Sequence, residues 1–409
     1  MRAHAAVAIL LLCLGPLART AQSGSIWPRF RGPNGEGIAE APGLPTRWTE
    51  ADYDWRVELP AIGHSSPVVW GDRIFVTAGD SKNATRYVLC IRGADGSVLW
   101  TRRYDSKPHR LNRDNSYATS TPALDAQRAY VYWATPREVT LLALRHDGRE
   151  AWRRDLGPFD SQHGSGVSPI VHDGLVIVPN DQKGESSLIA LDCQSGATRW
   201  KVPRKGGKAA YATPCVYRPQ GGPPELIFFS TEQGITSVDP RSGEVNWQFA
   251  SAFPLRVVAS PVVASGLIVG TCGVGGSGRR FVAVRPGPKP ELVYEFRRRV
   301  PYVPTPVTRG DLLFLCTDSG TATCLRAPTG EVVWQESLGE KFYGSFVRVG
   351  DRLYIMSRKG SVYVLAASEK FELLAKNPLG EGSFATPVVV DGKMFLRTFS
   401  HLMSIGSKQ

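Results

Sequence analysis

A pattern that recurs every 40 to 55 residues or so constrains the fold of this 409-residue chain more than any other feature. In each copy a small residue and a proline precede an apolar segment. A Gly-Asp-like turn, two further strand-like segments, an Asp-Gly or Ser-Gly pair and a tryptophan follow. The clearest copies run from Pro67 to Trp100, from Pro169 to Trp200 and from Pro306 to Trp334. Self-similarity at such a period predicts a repeat architecture.

The proline of this pattern, or its equivalent, recurs eight times along the chain. These positions are Pro67, Pro122, Pro169, Pro214, Pro261, Pro306, Phe346 and Pro387. Each interval holds about four short apolar segments bounded by turn residues, which is the content of one propeller blade. The sequence therefore predicts an all-β, eight-bladed β-propeller with four-stranded blades. A seven-bladed ring with a separate N-terminal extension is the alternative.

The two ends of the repeat region complement each other. The eighth unit ends near Ile405 before any tryptophan-bearing fourth strand, whereas residues 53–57 look like a fourth strand with no unit ahead of them. We therefore expect the N-terminal strand to complete the last blade and to close the ring, since closure removes an exposed sheet edge. This closure predicts a propeller over residues 53–406.

The first residues resemble a secretory leader. Residues 1–23 hold an early Arg2, an apolar run from Val7 to Leu14 and small residues near Ser23. No later stretch approaches the length of a membrane span. We therefore expect a signal peptide over 1–23, an N-terminal arm over 24–52 anchored by Trp27, Phe30 and Trp48, and a monomeric protein that is periplasmic or secreted.

Charge and cysteine content exclude several classes of function. The net charge is +12, but the basic residues are scattered, so nucleic acid is not an expected partner. Six cysteines follow the leader, and they include no neighbouring pair and no C-x-x-C motif. We expect these cysteines to be small buried apolar residues, although Cys316 and Cys324 could face each other across a hairpin.

Motif searches give one match, which we interpret as structural. Residues 273–278 spell G-x-G-x-x-G, but a strand-like Phe281-Val282-Ala283-Val284 follows where a dinucleotide-binding fold needs a helix. A glycine-rich hairpin is the better interpretation. No sequence feature fixes a pair of carboxylates for acid–base chemistry, so no catalytic residue is predicted.

The repeat resembles the pyrroloquinoline-quinone-like propeller repeat. The segment from Leu188 to Trp200 carries this resemblance most clearly, and Trp27 to Pro33 with Gly63 to Pro67 is similar to an exported bacterial subgroup common in planctomycetes. The resemblance implies the fold. It leaves function open, because this propeller serves quinone dehydrogenases, the outer-membrane assembly factor B lipoprotein and other scaffolds.

The dehydrogenase implication does not extend to the cofactor. Members of that family carry a vicinal disulfide and a Ca²⁺ site of Glu, Asn and Asp, and neither can be placed on this sequence. We therefore predict no cofactor and no metal, and do not expect pyrroloquinoline quinone with calcium.

Residues just before each small-residue-Pro signal should surround one mouth of the central channel, because the first strand of a blade is innermost. They are unusually aromatic or basic and form a candidate ligand funnel. The candidates are His64, His109, Asn115, Tyr117, His163, Tyr211, Arg256, Tyr302 and Tyr343, with Phe384 in the eighth unit.

Three hypotheses of function follow from the sequence. The first is a non-catalytic interaction scaffold for envelope proteins. The second is binding of a small molecule or glycan in the funnel. The third is a quinone-dependent dehydrogenase. A scaffold should expose a substantial apolar patch, a ligand receptor should depend on His64 and His163, and an enzyme should turn over with added quinone and Ca²⁺.

Overall fold

The chain forms eight antiparallel blades that close into a ring. A computed structural model describes residues 26–406 and contains eight sheets, six with four strands and two with five. Two short 3₁₀ helices, η1 (Glu50–Asp52) and η2 (Ala250–Ala252), are the helical elements of this range. The eight-bladed prediction is confirmed, and the seven-bladed alternative is wrong.

Three strands precede the blades: β1 (Ile26–Trp27), β2 (Ile38–Ala39) and β3 (Trp55–Glu58). Blade 1 consists of β4 (Val68–Trp70), β5 (Arg73–Gly79), β6 (Arg86–Arg92) and β7 (Val98–Tyr104), and blade 2 consists of β8 (Ala123–Leu124), β9 (Arg128–Ala134), β10 (Val139–Arg145) and β11 (Glu150–Asp155). Blade 3 consists of β12 (Ile170–His172), β13 (Leu175–Asn180), β14 (Ser186–Asp192) and β15 (Thr198–Arg204), and blade 4 consists of β16 (Cys215–Tyr217), β17 (Glu225–Ser230), β18 (Gly234–Val238) and β19 (Val245–Phe249).

Blades 5 to 8 follow the same order. Blade 5 consists of β20 (Val262–Ala264), β21 (Leu267–Val274), β22 (Ser277–Arg285) and β23 (Glu291–Phe296), and blade 6 consists of β24 (Val307–Arg309), β25 (Leu312–Cys316), β26 (Thr321–Arg326) and β27 (Val332–Ser337). Blade 7 consists of β28 (Val347–Val349), β29 (Arg352–Met356), β30 (Ser361–Ala366) and β31 (Leu373–Pro378), and blade 8 contains β32 (Val388–Val390), β33 (Lys393–Arg397) and β34 (His401–Gly406). Within each blade, consecutive strands pair with each other, and the first strands of neighbouring blades meet at the centre.

The repeated Gly and Trp positions join one blade to the next. A Cβ added at Gly196 in blade 3 would lie 2.7 Å from the ring of Trp152, and the Trp152 indole donates to the Cys193 carbonyl at 3.0 Å. Trp55, Trp100 and Trp200 repeat this arrangement, and Tyr294 retains it with its hydroxyl. The Gly is required because its φ is positive and its α-hydrogen lies under an aromatic ring.

The predicted closure of the ring is present. Strand β3 pairs antiparallel with β34, with Trp55 opposite Ser404 and Glu58 opposite His401. The eighth blade therefore takes its outermost strand from the N-terminal side of the chain. The apolar core lies between adjacent blades, and the largest cluster joins blades 1, 7 and 8 to the arm through Trp27, Leu44 and Trp48.

The N-terminal arm enters the central channel rather than covering a face of the ring. Strand β1 pairs with β4, the innermost strand of blade 1, and β2 pairs in parallel with β28 of blade 7. Between these strands, Asn34 exchanges hydrogen bonds with the Val216 backbone of blade 4 at 2.9 Å. The arm then leaves the channel and contacts blade 7 as far as Asn377 on its outermost strand.

The other structural expectations can be placed in the same frame. All six described cysteines are buried free thiols; Cys316 lies opposite Ala322, and Cys324 lies opposite Phe314. The glycine-rich match is the turn between β21 and β22, with positive φ at Gly275 and Gly276. The proposed leader, 1–23, lies outside the described residues. Within residues 26–406, no helix has the length and apolar character of a membrane span.

Candidate functional site in the central funnel

Eight hydroxyl side chains, one from each blade, form a ring at the centre of the propeller. We call these residues the hydroxyl ring: Ser66, Thr121, Ser168, Thr213, Ser260, Thr305, Ser345 and Thr386. In seven of the eight steps around the ring, the backbone N–H of one member donates to the hydroxyl of the next at 2.9 to 3.2 Å. The ring therefore joins the blades and explains why a Ser or Thr precedes each proline-equivalent position.

Two arginines of the arm are bonded to carbonyls immediately below this ring. Arg29 donates to the Pro214 carbonyl, and Arg31 donates to the carbonyls of Pro306 at 2.7 Å and Phe346 at 3.5 Å. Each acceptor directly follows a member of the hydroxyl ring in sequence. Burial lowers the pKa of Arg29 to about 10 and that of Arg31 to about 9, so both remain charged at neutral pH.

A cavity of about 750 Å³ lies above the hydroxyl ring, and Phe30 of the arm contributes to its lining. We call this cavity the funnel. Seven of the nine predicted site residues line it: His64, Asn115, His163, Tyr211, Arg256, Tyr302 and Tyr343, together with Phe384. His109 and Tyr117 do not. They contact each other at a side cavity of about 10 Å³, where the Tyr117 hydroxyl donates to the His109 carbonyl at 2.8 Å.

One wall of the funnel holds an arginine whose contacts are neutral. Nη1 of Arg256 lies 2.6 Å from Nε2 of His163, and the buried Nε of Arg256 has no partner. Burial, followed by the charge of Arg256, lowers the pKa of His163. Across the described residues, no carboxylate lies within salt-bridge distance of Arg256. This wall therefore carries an unneutralised positive charge.

The opposite wall combines an ion pair with aromatic rings. Asp114 accepts a hydrogen bond from Arg358 at 2.8 Å and from the Tyr343 hydroxyl at 3.2 Å. The Arg358 guanidinium lies over the rings of Tyr343 and Phe384, 4.3 and 4.8 Å from their centroids. The two rings pack edge to face, with centroids 4.9 Å apart, so this wall presents aromatic edges beside a guanidinium group.

Two further titratable groups in the funnel have strongly shifted pKa values. Burial raises the pKa of Asp318 to about 6, although its carboxylate accepts the backbone N–H of Tyr302 at 2.8 Å. Burial and the nearby Arg397 lower the pKa of His64 to about 3, so this imidazole is neutral at physiological pH. His64 also packs against Phe384, with ring centroids 4.6 Å apart.

Sequence reasoning missed the contribution of the second-to-third-strand turns. Asp318 lies in the turn between β25 and β26, and Arg358 lies in the equivalent turn between β29 and β30. Those turns open at the same end of the channel as the loops that enter each blade. Because the repeat aligns them, the charged residue two positions after the second strand of a blade was the signal that could have identified both side chains.

The donor set of the funnel does not fit a calcium ion. Ca²⁺ takes six to eight oxygen ligands, with carboxylates prominent among them. Here Asp114 is bonded to Arg358, Asp318 is bonded to backbone N–H groups, and Lys341 and Arg256 share the cavity. Among residues 26–406, no three His, Cys, Asp or Glu side chains are grouped so that they could hold a metal.

Comparison with known proteins identifies the family. The profile described as "Outer membrane protein assembly factor BamB" matches residues 85–335 and 318–405, which is most of the chain. The chain belongs to this PQQ-like propeller family. BamB of Yersinia pestis is 20% identical over 343 residues, a match that covers 80% of this chain and 70% of BamB.

Two other relatives have different named activities. The polyvinylalcohol dehydrogenase of a Pseudomonas species is 25% identical over 190 residues, 42% of this chain and 27% of the dehydrogenase. The serine/threonine-protein kinase AfsK of Streptomyces griseus is 25% identical over 287 residues, 64% of this chain and 33% of the kinase. The chain spans about a third or less of these two relatives.

Solved structures of the same fold include both a BamB protein and dehydrogenases. BamB from Moraxella catarrhalis has a TM-score of 0.62 at 15% identity, covering 86% of this chain and 95% of that one. A europium-containing methanol dehydrogenase has a TM-score of 0.67 at 13% identity, covering 91% and 89%. The quinohemoprotein alcohol dehydrogenase of Comamonas testosteroni has a TM-score of 0.68 at 12% identity, covering 94% and 81%. At these identities the likeness establishes the fold.

Proposed function

We propose that this member of the BamB-like propeller family binds a small polar molecule, such as a sugar derivative, in the funnel. One observation carries the proposal: a cavity of about 750 Å³ in which side chains from several blades present hydrogen-bond donors beside aromatic rings that pack edge to face. That volume lies in the range of ligand sites. The His64, Asn115, His163, Tyr211, Arg256, Tyr302 and Tyr343 side chains would supply the contacts.

The experiment is a calorimetric titration of the mature protein with a panel of small sugars and sugar acids. His163→Ala should weaken binding about tenfold, since it removes a wall contact and frees Arg256. His109→Ala is the matched control, because His109 lies outside the funnel. Equal affinity in both variants and the wild type would contradict the assignment of the funnel.

A scaffold for envelope proteins is the second candidate, and membership of the BamB family favours it. Its expected apolar surface is dispersed. Many of the exposed large apolar residues lie along the outermost strands of five blades, namely Val98, Leu99, Val245, Leu292, Val293, Val332 and Leu373. This rim supports docking less directly than the funnel supports a ligand.

The two candidates separate in envelope extracts. A scaffold should migrate in a larger complex that Val332→Glu disrupts and His163→Ala leaves intact. A funnel receptor should show the reverse sensitivity, with ligand affinity unchanged in the rim variant. The leader-like residues 1–23 support action in the periplasm or outside the cell. We infer a monomer because the exposed apolar residues of the rim are dispersed over five blades.

Quinone-dependent oxidation is the third candidate, favoured by the dehydrogenases of the same fold. Titration with pyrroloquinoline quinone, with and without Ca²⁺, tests it. We expect no calcium-dependent gain in affinity, because the funnel carboxylates are bonded to Arg358 and to backbone N–H groups. Calcium-dependent binding would instead direct the search to alcohol or sugar substrates.

A further inference from the structure

We infer that the ligand of the funnel carries an anionic group, a carboxylate or a phosphate, and that the N-terminal arm builds the floor on which this group rests. The inference rests on the proposed function and makes its ligand class specific. Its central observation is the pair of arm arginines, which are buried below the hydroxyl ring without a carboxylate bonded to either of them.

These two arginines have unmet hydrogen-bonding capacity. Arg29 and Arg31 are 4% and 1% exposed. Their partners are backbone carbonyls, which are neutral, and the Nε of Arg29 and the Nε and Nη1 of Arg31 have no hydrogen-bond partner. The exposed Glu36 carboxylate acts on both guanidinium groups through its charge but forms no ion pair with either. Burying these cations therefore still costs free energy, and an anion brought nearby offsets part of that cost.

The positive charge of both arginines lies close to the funnel. The Pro306 carbonyl that accepts from Arg31 belongs to the residue after Thr305, and the Pro214 carbonyl that accepts from Arg29 belongs to the residue after Thr213. Because consecutive Cα atoms lie about 3.8 Å apart, the guanidinium groups are roughly one residue below the ring. Low-dielectric surroundings then carry their field into the cavity.

The hydroxyl ring can donate hydrogen bonds as well as accept them. Its hydroxyl oxygens accept backbone N–H groups from the neighbouring blade in seven of eight steps. This acceptor role leaves each hydroxyl hydrogen free to donate. A converging set of O–H donors above two cations is the arrangement that a carboxylate or phosphate oxygen requires.

The walls of the funnel also carry a net positive charge, like the arm arginines below it. Four basic side chains line the funnel, namely Arg113, Arg256, Lys341 and Arg358, whereas its acidic lining residues are Asp114 and Asp318. Arg358 is balanced by Asp114. Arg256 has a neutral histidine as its partner, so the cavity keeps a net positive charge that favours entry of anions.

Two glycines of the arm leave space for the arginine side chains, whether those side chains attract an anion or only hold the arm. A Cβ at Gly37, where φ is +70°, would lie 2.6 Å from Nη2 of Arg31, and a Cβ at Gly35 would lie 3.0 Å from Nη2 of Arg29. The segment thus provides room for both guanidinium groups inside the channel. If their only task were to hold the arm, replacing Arg31 with a neutral side chain would leave the preference of the funnel for an anion unchanged.

The test compares D-glucuronate with D-glucose, which lacks the carboxylate, and adds inorganic phosphate as a second anion. Calorimetry on the intact wild-type protein should give an affinity at least about tenfold higher for D-glucuronate than for D-glucose. Added salt should weaken D-glucuronate binding and leave D-glucose binding unchanged, because salt screens charge. Binding of phosphate with the same salt dependence would also support an anion site.

Two outcomes overturn the inference, and they distinguish it from the proposed function. Equal affinity for D-glucuronate and D-glucose refutes the anionic group and leaves the funnel a ligand site. No binding by either anion, while D-glucose binds, has the same meaning. No binding by any of the three probes or by the wider sugar panel refutes both.

Variants of the arm then locate the anion. Arg31→Gln should lower D-glucuronate affinity about tenfold and Arg31→Lys less, since lysine keeps the charge. Arg47→Gln, in the part of the arm outside the channel, is the matched control. If Arg31→Gln does not fold, the wild-type comparison of charged and neutral probes still decides the ligand class. Unchanged affinity in a folded Arg31→Gln protein would contradict the arm as the floor.

Discussion

The Nη1 atom of Arg256 lies 2.6 Å from Nε2 of His163, and this contact joins the loop that enters blade 5 to the loop that enters blade 3. A guanidinium donates hydrogen bonds and does not accept them, so His163 accepts at Nε2 and carries its proton at Nδ1. The lowered pKa of His163 is consistent with this neutral form. The contact fixes the position of the Arg256 guanidinium, and so of its positive charge, at the funnel wall.

Removing that charge should weaken anion binding. Arg256→Gln is expected to lower D-glucuronate affinity about tenfold without changing D-glucose affinity, because the long-range attraction is lost and a polar side chain remains. Calorimetry of both sugars measures the effect. Arg241→Gln, exposed in the turn before the outermost strand of blade 4, is the control. A loss of equal size in the control variant would show that net charge alone is responsible.

Asp318 should make anion binding depend on pH. Its pKa is about 6, so it becomes neutral as the pH falls through that value and the funnel loses one negative charge. D-glucuronate affinity should therefore rise as the pH is lowered from about 7.5 to about 5.5. His64 does not contribute over this range, because its pKa of about 3 keeps it neutral.

The Asp318→Asn variant isolates this carboxyl. It should bind D-glucuronate at neutral pH as tightly as the wild type does at low pH, and its affinity should not vary over the range. Wild-type stability changes in a related way: the folded carboxyl holds its proton more tightly than the unfolded one. Its contribution to the stability of the folded protein is present below about pH 3.8 and is lost as the pH rises through about 6. A pH profile that persists in Asp318→Asn would contradict this assignment.

The contact between blades at Gly196 gives a prediction about stability. Gly196→Ala should lower the free energy of unfolding by about 2 to 3 kcal/mol, because the new methyl group meets the Trp152 ring at 2.7 Å. Gly174→Ala is a matched control, since Gly174 also has a positive φ but has nothing within 4 Å of the added carbon. Chemical denaturation measures both variants. Equal losses would mean that backbone strain, not the aromatic contact, determines the cost.

The closing strand should be essential for the stability of the ring. Trp55→Ala removes the ring above Gly96 and the hydrogen bond to the Gly93 carbonyl, and we expect a loss of about 3 kcal/mol. Arg56→Ala, exposed on the same strand, should cost less than about 0.5 kcal/mol. Deletion of residues 50–60 should lower the melting temperature of the whole protein. An unchanged melting temperature in that deletion would refute the closure as a stabilising element.

The local contacts of the fold could be predicted because the repeat encodes them. Each copy carries its own turn residues, its own alternation and its own tryptophan, so the eight blades and the closing role of Trp55 follow from the order of the chain. The loops that precede the prolines were found in the same way, and seven of the nine candidates line one cavity.

Long-range contacts decided the rest. Arg29 and Arg31 meet Pro214, Pro306 and Phe346 across separations of 185, 275 and 315 residues, and no local pattern specifies such pairings. His109 and Tyr117 lie in the expected loop, yet their mutual contact turns them away from the funnel.

The sequence by itself determined the repeating unit, the number of blades and the strand that closes the ring, because these depend on periodic burial and on turns formed by neighbouring residues. Only the tertiary structure decided that the arm enters the channel and that two buried arginines, each bonded to backbone carbonyls, lie beneath eight hydroxyl groups. A charge acts through space rather than along the chain, so its effect on the funnel depends on which distant residues the closed ring brings together.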